Sequence, residues 1–242
     1  MSAALDVLEW GSERVRTGTW RGRNGIAYLA PVPGSPAPSP SFLDRCLKSL
    51  AERGYGEVIT GALSPAEQRG FLAAGFEVRE HLVLLAHDLL DVPDVPTVDG
   101  VRLRRARKSD RPVVLDVDHA AFREFWRLDD SGLEEAINAT PAARFRVAAQ
   151  RDGGDLVGYA VTGRAGRHGY LQRLAVDPSV QRRGVARALV LDGLQWLVRR
   201  DAARVLVNTQ PDNDGALALY HSLGFRQQAG GLDVLCRRLP TA

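Results

Sequence analysis

A glycine and several arginines precede an apolar helical pattern in the stretch "VQRRGVARAL", residues 180–189. A helix start leaves its first backbone N–H groups unpaired and carries partial positive charge. Gly184 at this point would let a phosphate approach the backbone closely, and Arg182, Arg183 and Arg187 add charge beside it. The stretch therefore predicts an anion cradle. The alternative is a solvated basic helix start with a glycine in a turn.

The elements that must position this stretch form an α/β pattern. Apolar periodicity predicts strands at 101–106, 144–149, 156–163, 169–176, 204–208, 225–228 and 232–237, and helices at 111–125, 131–139, 184–200 and 213–223. Upstream it predicts strands at 4–10, 14–20, 25–30 and 57–63, helices at 42–53 and 65–74, and one or two strands from 76. Helices that alternate with strands in this way indicate a mixed sheet.

The chain contains an internal repeat. Residues 57–76 align without a gap on residues 206–225, so that Thr60 meets Thr209 and Gly75 meets Gly224. The upstream elements match the later part of the pattern, which indicates that the first half is a shortened copy without the opening strand and helix pair. The clearest linker is "DVPDVPTVDG", where acidic residues, prolines and a glycine occur together.

The element order of 101–238 resembles that of the GNAT family of acyl-CoA-dependent N-acyltransferases. "LAVDPSVQRRGVARAL" is similar to the family's pyrophosphate loop, Gln/Arg-x-x-Gly-x-Gly/Ala, at Gln181, Gly184 and Ala186. "NDGALALYHSLGF" is similar to the family's closing motif, Asn-x-x-Ala-x-x-x-Tyr-x-x-x-Gly-Phe, which begins at Asn213 and contains Tyr220. The resemblance implies a tandem GNAT-like fold with a partial copy at 1–92, a linker at 93–100 and a complete domain at 101–242.

Acetyl-CoA is the cofactor that this resemblance implies. Backbone N–H groups of the loop would bind its pyrophosphate, and Asn213 would contact the pantetheine arm or act only as a helix N-cap. Tyr220 would protonate the departing thiolate, which a phenol can do with help from its surroundings, or would pack as a core aromatic. The implied cofactor-binding residues are Leu174, Ala175, Val176, Gln181, Arg182, Arg183, Gly184, Val185, Ala186, Arg187, Asn208, Asn213, Ala216 and Tyr220.

The strand "GYLQRLAV" would hold the thioester. In the family, backbone N–H groups at a bulge of this strand stabilise the tetrahedral oxyanion, which would place residues 174–176 beside the acyl group. Many members carry a glutamate on this strand as general base. Gln172 stands there in this chain, and an amide cannot take the proton.

The base must then come from elsewhere, or the amine must arrive deprotonated. We expect the base to be Glu124, because Phe122 and Trp126 flank it and an aromatic setting would raise its pKa. Phe122, Phe125 and Trp126 are candidates for the acceptor pocket, with core packing as the alternative. The other candidate bases are Asp118, Asp129 and Asp130, each with a surface or capping role as the alternative.

Composition limits the other classes of protein to which the chain could belong. The chain has 242 residues, 45% of them hydrophobic and 25% charged, with a net charge of +3, which is typical of a folded protein. Its arginines are scattered, so we expect no nucleic-acid partner. Two cysteines give no disulfide framework or metal site, and no apolar run suggests a signal peptide or membrane span. We expect a cytoplasmic monomer or homodimer without membrane contact.

The sequence therefore predicts an acetyl-CoA-dependent N-acetyltransferase, in which a primary amine attacks the thioester directly. The first copy would not bind the cofactor. The proline-rich stretch "PVPGSPAPSPS" replaces its cradle and lacks N–H donors, while Ser64 and Phe71 stand where the second copy has Asn213 and Tyr220. The alternative is a CoA-binding regulator or pseudoenzyme, and the acceptor stays open.

Overall fold

A computed structural model of the chain describes residues 5–32, 34–151 and 154–240. The first residue of the predicted strand 4–10 and Pro33 of the proline-rich stretch lie outside these ranges. The described residues divide into two compact units. The first unit contains the residues up to Leu84, Asn208–Asn213 and the residues from Gln228. The second contains Leu85–Val207 and Asp214–Gln227.

The first unit contains a mixed sheet in the order β1-β2-β3-β4-β12-β5. All neighbouring strands pair antiparallel except β3 and β4, which are parallel and connected through a helix. The strands are β1 (Asp6–Trp10), β2 (Glu13–Thr19), β3 (Ile26–Pro31), β4 (Glu57–Leu63), β5 (Glu77–His87) and β12 (Leu232–Arg238).

Two helices of the first unit, α1 (Pro40–Glu52) and α2 (Pro65–Ala73), pack on this sheet. Helix α1 begins two residues before the prediction because Pro40 takes the first helical position, where a missing N–H costs nothing. Its apolar stripe is Phe42, Leu43, Cys46, Leu47 and Leu50, all buried, and it meets sheet residues such as Leu29 and Val58. Burial of this apolar stripe stabilises the unit.

The second unit contains a five-stranded ladder in the order β10-β9-β8-β7-β6, while β11 pairs with residues 85–86 of β5. Its helices α3 and α4 share one core with the sheet, and α5 contacts β7, β8 and β9. Residues of β8 alternate between the two faces: Tyr159 and Val161 join the α3/α4 core, while Gly158 and Thr162 lie on the face that packs against α5. The elements are β6 (Val101–Arg105), α3 (Arg111–Ala121), α4 (Asp130–Asn138), β7 (Ala142–Gln150), β8 (Leu156–Ala165), β9 (His168–Val176), α5 (Val185–Val198), β10 (Arg204–Thr209), α6 (Asp214–Ser222) and β11 (Arg226–Gln227).

Two features differ from the sequence predictions. Helix α3 ends at Ala121 rather than Phe125, because the backbone becomes extended at Phe122 before a 3₁₀ turn at Glu124–Trp126. The units also do not follow the predicted segments. Strand β12 lies in the first unit, since it fills the position between β4 and β5 and pairs with both.

Within the described residues, no helix is both long and apolar enough to cross a bilayer. The same residues contain no cluster of three or more acidic, histidine or cysteine side chains that could hold a metal ion. Both cysteines are free thiols; Cys46 is buried and Cys236 is half-buried.

Gly70 allows α2 to lie directly against the proline-rich stretch, because a Cβ at Gly70 would stand 1.9 Å from the carbonyl oxygen of Pro38. Alanine normally stabilises a helix relative to glycine. We expect Gly70→Ala instead to lower the free energy of unfolding by about 2 kcal/mol, since overpacking against backbone forces a shift. Gly56→Ala is the control, because its Cβ would lie 4.0 Å from the nearest atom. Chemical denaturation measures both, and equal stability of the two variants would contradict the prediction.

Candidate active site

The start of α5 presents a run of backbone N–H groups without acceptors. Gly184 is its N-cap with φ +85°, and Arg182 also has a positive φ of +64°. Within the described residues, the amides of residues 182–186 donate to no protein atom. Residues 182–184 of this run are exposed, while Val185 is buried and Ala186 half-buried. The donors and the positive helix end fit a pyrophosphate.

The loop that leads into this run is anchored to the end of β9. The Nε2 atom of Gln181 donates to the carbonyl of Val176 at 3.2 Å. Asp177 caps the intervening 3₁₀ turn by accepting from the backbone N–H and hydroxyl of Ser179. The hydroxyl bond from Ser179 holds the pKa of the Asp177 carboxyl below its usual value. The side chain of Gln181 thus has an anchoring contact, and the backbone remains available for a ligand.

Strand β9 separates from β10 after a short ladder. Within the described residues the two strands pair only at 168–170 with 204–206, while β9 continues to Val176. Alternate residues of a strand direct their N–H groups to opposite sides, so part of the 171–176 backbone faces the side from which β10 has departed. Such an opening beside the start of α5 can accept an extended thioester arm.

The irregularity in β9 lies earlier than the residues predicted beside the acyl group. Leu171 pairs with Thr162 and Arg173 with Val161, so Gln172 is the extra residue of a bulge. Leu174, Ala175 and Val176 follow it in regular register with β8. The bulge is therefore confined to Gln172, and residues 174–176 form the straight end of the strand.

Tyr220 lies on α6 in the second unit, 4% exposed, with its ring 5.5 Å from that of Phe225. Its hydroxyl makes no hydrogen bond within the described part of the chain. Burial raises the pKa of this phenol above its usual value. The group is therefore protonated at neutral pH and free to donate.

The remaining predicted contacts are divided between the two units. Ala216 and Arg187 belong to the second unit, where the Arg187 guanidinium lies 3.4 Å from the hydroxyl of Ser222. Asn208 and Asn213 belong to the first unit. Asn213 directly precedes α6, as an N-cap residue does, and its amide Nδ2 donates to the hydroxyl of Thr209 at 3.1 Å.

The carboxylates considered as bases differ in their surroundings. Glu124 is exposed on the 3₁₀ turn, so the apolar setting expected for it is absent. Asp129 caps α4 by accepting from the N–H of Gly132, and Asp130 is exposed on the first turn of that helix. Asp118 is completely buried and paired with Arg173. Sequence reasoning missed this pair because its members lie 55 residues apart.

The corresponding helix start in the first unit is already occupied. Glu13 accepts hydrogen bonds from the backbone N–H and hydroxyl of Ser39, the N-cap of α1. The hydroxyl of Ser39 in turn accepts from the N–H of Phe42, and Pro40 has no N–H to offer. An internal carboxylate therefore neutralises the end of α1 that corresponds to the open end of α5.

Comparison with known proteins agrees with this geometry. A sequence model described as the Acetyltransferase (GNAT) family matches residues 111–225. A mycothiol acetyltransferase of Amycolatopsis mediterranei is 30% identical over 207 residues, 72% of this chain and 67% of that protein. One from Thermomonospora curvata is 32% identical over 206 residues, 80% of this chain and 68% of that protein.

Solved structures show the same fold. A tandem GNAT protein from the clavulanic acid biosynthesis pathway superposes with a TM-score of 0.68 at 14% identity, covering 96% of this chain and 80% of that one. A GCN5-related N-acetyltransferase from Kribbella flavida gives 0.62 at 16% identity, covering 99% and 91%. At these identities the likeness establishes the fold alone.

The chain belongs to the GNAT family of acetyltransferases, enzymes that use acetyl-CoA as acetyl donor. The predicted family, tandem GNAT fold, class of enzyme and donor are thereby confirmed. Alignments cover between 51% and 68% of the curated relatives described as mycothiol acetyltransferases, so the chain spans about half to two thirds of their length.

We expect Gly184→Ala to raise the dissociation constant for acetyl-CoA about tenfold. Alanine at a positive φ is strained, and its methyl group would project among donors that a phosphate must approach. Gly166→Ala is the matched control: φ is +57° there, and a Cβ would likewise meet nothing within 4 Å, but the residue lies in the β8–β9 turn. Calorimetric titration measures both, and a similar loss of affinity in the two variants would contradict a cradle at Gly184.

Proposed function

We propose that this chain transfers the acetyl group of acetyl-CoA to a primary amine by direct attack of the amine on the thioester. The observation that carries the proposal is the run of unpartnered backbone N–H groups at residues 182–186, beside the opening between β9 and β10. A cradle of this kind binds a diphosphate without depending on one side chain. Bound acetyl-CoA would supply an activated thioester, and the chain would supply position, an oxyanion site and a proton.

The roles of the residues follow from their chemistry. The cradle at 182–186 holds the pyrophosphate, and the bulge at Gln172 with the following residues of β9 directs backbone N–H groups at the developing oxyanion. As the C–N bond forms and the C–S bond breaks, Tyr220 gives its proton to the leaving thiolate. The raised pKa of Tyr220 means that it donates only as charge develops on sulfur.

Removal of the amine proton stays assigned to Glu124, as predicted from the sequence. Its exposure suits a base that acts through water on an acceptor lying over the 3₁₀ turn. The side chain of Gln172 is an amide, which can accept a hydrogen bond but cannot take up a proton at neutral pH, so it cannot replace this base. The side-chain contacts of Asn208 and Asn213 with the pantetheine arm also remain part of the proposal, as does the assignment of the active domain to 101–242.

The acceptor is a matter for experiment. The curated relatives are named for mycothiol, which makes unacetylated mycothiol one member of the panel to be tested. The other members of the panel are amino sugars, polyamines, free lysine and peptides with a free N-terminus. We expect thiol release from acetyl-CoA to depend on at least one of these amines. Tight binding of acetyl-CoA without turnover of any amine would instead favour a CoA-binding regulator.

We expect Tyr220→Phe to lower kcat about a hundredfold while the dissociation constant for acetyl-CoA changes less than about twofold. The substitution removes one hydroxyl and retains the ring that packs on Phe225. Tyr55→Phe is the control, because its hydroxyl lies in the first unit and contacts Thr19. Steady-state kinetics with the best amine of the panel measures both, and an unchanged kcat for Tyr220→Phe would remove its role as the acid.

A further inference from the structure

A buried carboxylate lies at the end of α3, outside the set of residues assigned to acetyl-CoA. Asp118 is completely buried and accepts four hydrogen bonds. Its Oδ1 accepts from the N–H of Leu128 at 2.8 Å and from Nη2 of Arg173 at 2.9 Å. Its Oδ2 accepts from the hydroxyl of Tyr159 at 2.5 Å and from Nε of Arg173 at 2.7 Å. One carboxylate therefore joins β8, β9 and the segment that follows α3.

Arg173 contacts the same segment at two further points. Its Nη2 donates to the carbonyl of Trp126 at 2.6 Å, and its guanidinium carbon lies 3.5 Å from the centroid of the Phe122 ring. A planar guanidinium can serve a carboxylate, a carbonyl and an aromatic face together, which an ammonium cannot. Arg173 follows the bulge residue Gln172, so this side chain leaves β9 next to the irregular point of the strand.

We call residues 122–128 the acceptor wall. Two further hydrogen bonds hold this segment, one from α3 and one within the segment. His119 contacts the carbonyl of Leu128 through Nε2 at 2.7 Å, and Nε of Arg127 donates to the carbonyl of Phe122 at 3.2 Å. With the contacts to Asp118 and Arg173, both ends and the middle of the wall are held. The wall contains Glu124, Phe125 and Trp126, the candidate base and two of the candidate pocket aromatics.

We propose that Asp118 and Arg173 are positioning residues for the acceptor, which fix the wall at a set distance from the strand that holds the thioester. The proposal rests on the acetyltransferase function proposed above. Attack on a thioester is sensitive to misplacement of the amine by about 1 Å, so a wall fixed to β9 itself contributes directly to the rate. The pair acts through the wall and touches neither substrate.

Asp118 is unsuited to act as the base. Both of its oxygens are saturated by donors, and the carboxylate is closed to solvent. Burial raises the pKa of the Tyr159 phenol, so that donor stays protonated.

The same sheet offers a matched control. On its other face, Arg144 of β7 forms a bidentate pair with Asp192 of α5, with Nε–Oδ2 and Nη2–Oδ1 distances of 2.6 and 2.9 Å. Asp192 is also buried. This pair has nearly the same distances as Asp118–Arg173, with Nε of Arg146 as a further neighbour 3.3 Å from Oδ2 of Asp192, but it has no contact with the wall among the described residues. If Asp118–Arg173 has only a structural role, substitutions in the two pairs should change the same properties.

The experiment compares Arg173→Lys with Arg144→Lys. Each retains one positive charge and loses the fork that spans both carboxylate oxygens. We expect Arg173→Lys to raise KM for the best amine of the panel about tenfold and to lower kcat, with the dissociation constant for acetyl-CoA within about twofold of wild type. Amide hydrogen exchange should accelerate in peptides covering 122–128. Arg144→Lys should lower Tm and leave the KM for the amine and this exchange within about twofold.

Tyr159→Phe serves as a second variant if Arg173→Lys fails to fold, because it removes one hydrogen-bond donor to Asp118. We expect it to raise the KM for the amine and the rate of amide exchange at 122–128, both to a smaller extent. Equal responses to Arg173→Lys and Arg144→Lys, or unchanged exchange at 122–128, would overturn the proposal. If the wild-type protein acetylates no amine, the proposed function fails; the exchange rates then decide independently whether the pair fixes the wall.

Discussion

The buried ion pair of Asp118 and Arg173 determines the course of the chain around the candidate acceptor site. Removing one member of such a pair leaves an uncompensated buried charge, at a cost of about 3–5 kcal/mol. Four donors on one carboxylate offset the cost of burying it. The donors come from β8, β9 and the residue Leu128, and the segment brings Leu128 back to Asp118 after α3 has ended at Ala121.

Features that depend on residues close together in the chain could be predicted from the sequence. The glycine at 184, followed by an apolar helical period, predicts a helix start, and the structure has α5 beginning at Val185 with Gly184 as its cap. The order of strands and helices from 101 onward likewise follows from periodicity, since each element buries one face. The order of elements and the glycine-capped start of α5 are both properties of short stretches, which explains why they could be predicted.

Features that depend on distant partners could not be predicted in this way. Nothing in "HAAFREFWRLDD" breaks a helix, yet α3 ends at Ala121, because Asp118 accepts from Leu128 and from Arg173 far along the chain. Strand β12 has three consecutive apolar residues, Val234–Cys236, and nothing in this short pattern reveals its place between β4 and β5. The apolar setting expected for Glu124 is absent for the same reason: its neighbour Phe122 packs against Arg173 of β9, while Glu124 on the 3₁₀ turn is exposed.

The two copies of the repeat differ most in how each satisfies the start of its long helix. Both α1 and α5 follow a strand and present a positive helix end, which must find an anion, a cap or water. In the first unit the anion is internal, because Glu13 binds the N–H and hydroxyl of Ser39. In the second unit, no described side chain accepts a hydrogen bond from the backbone N–H groups of residues 182–186. A carboxylate fixed by folding would have to be displaced before a phosphate could bind at α1, whereas the glycine-led start of α5 requires no such displacement. The proline-rich stretch therefore does more than remove donors: its Ser39, paired with Glu13, caps the start of α1 with an internal carboxylate.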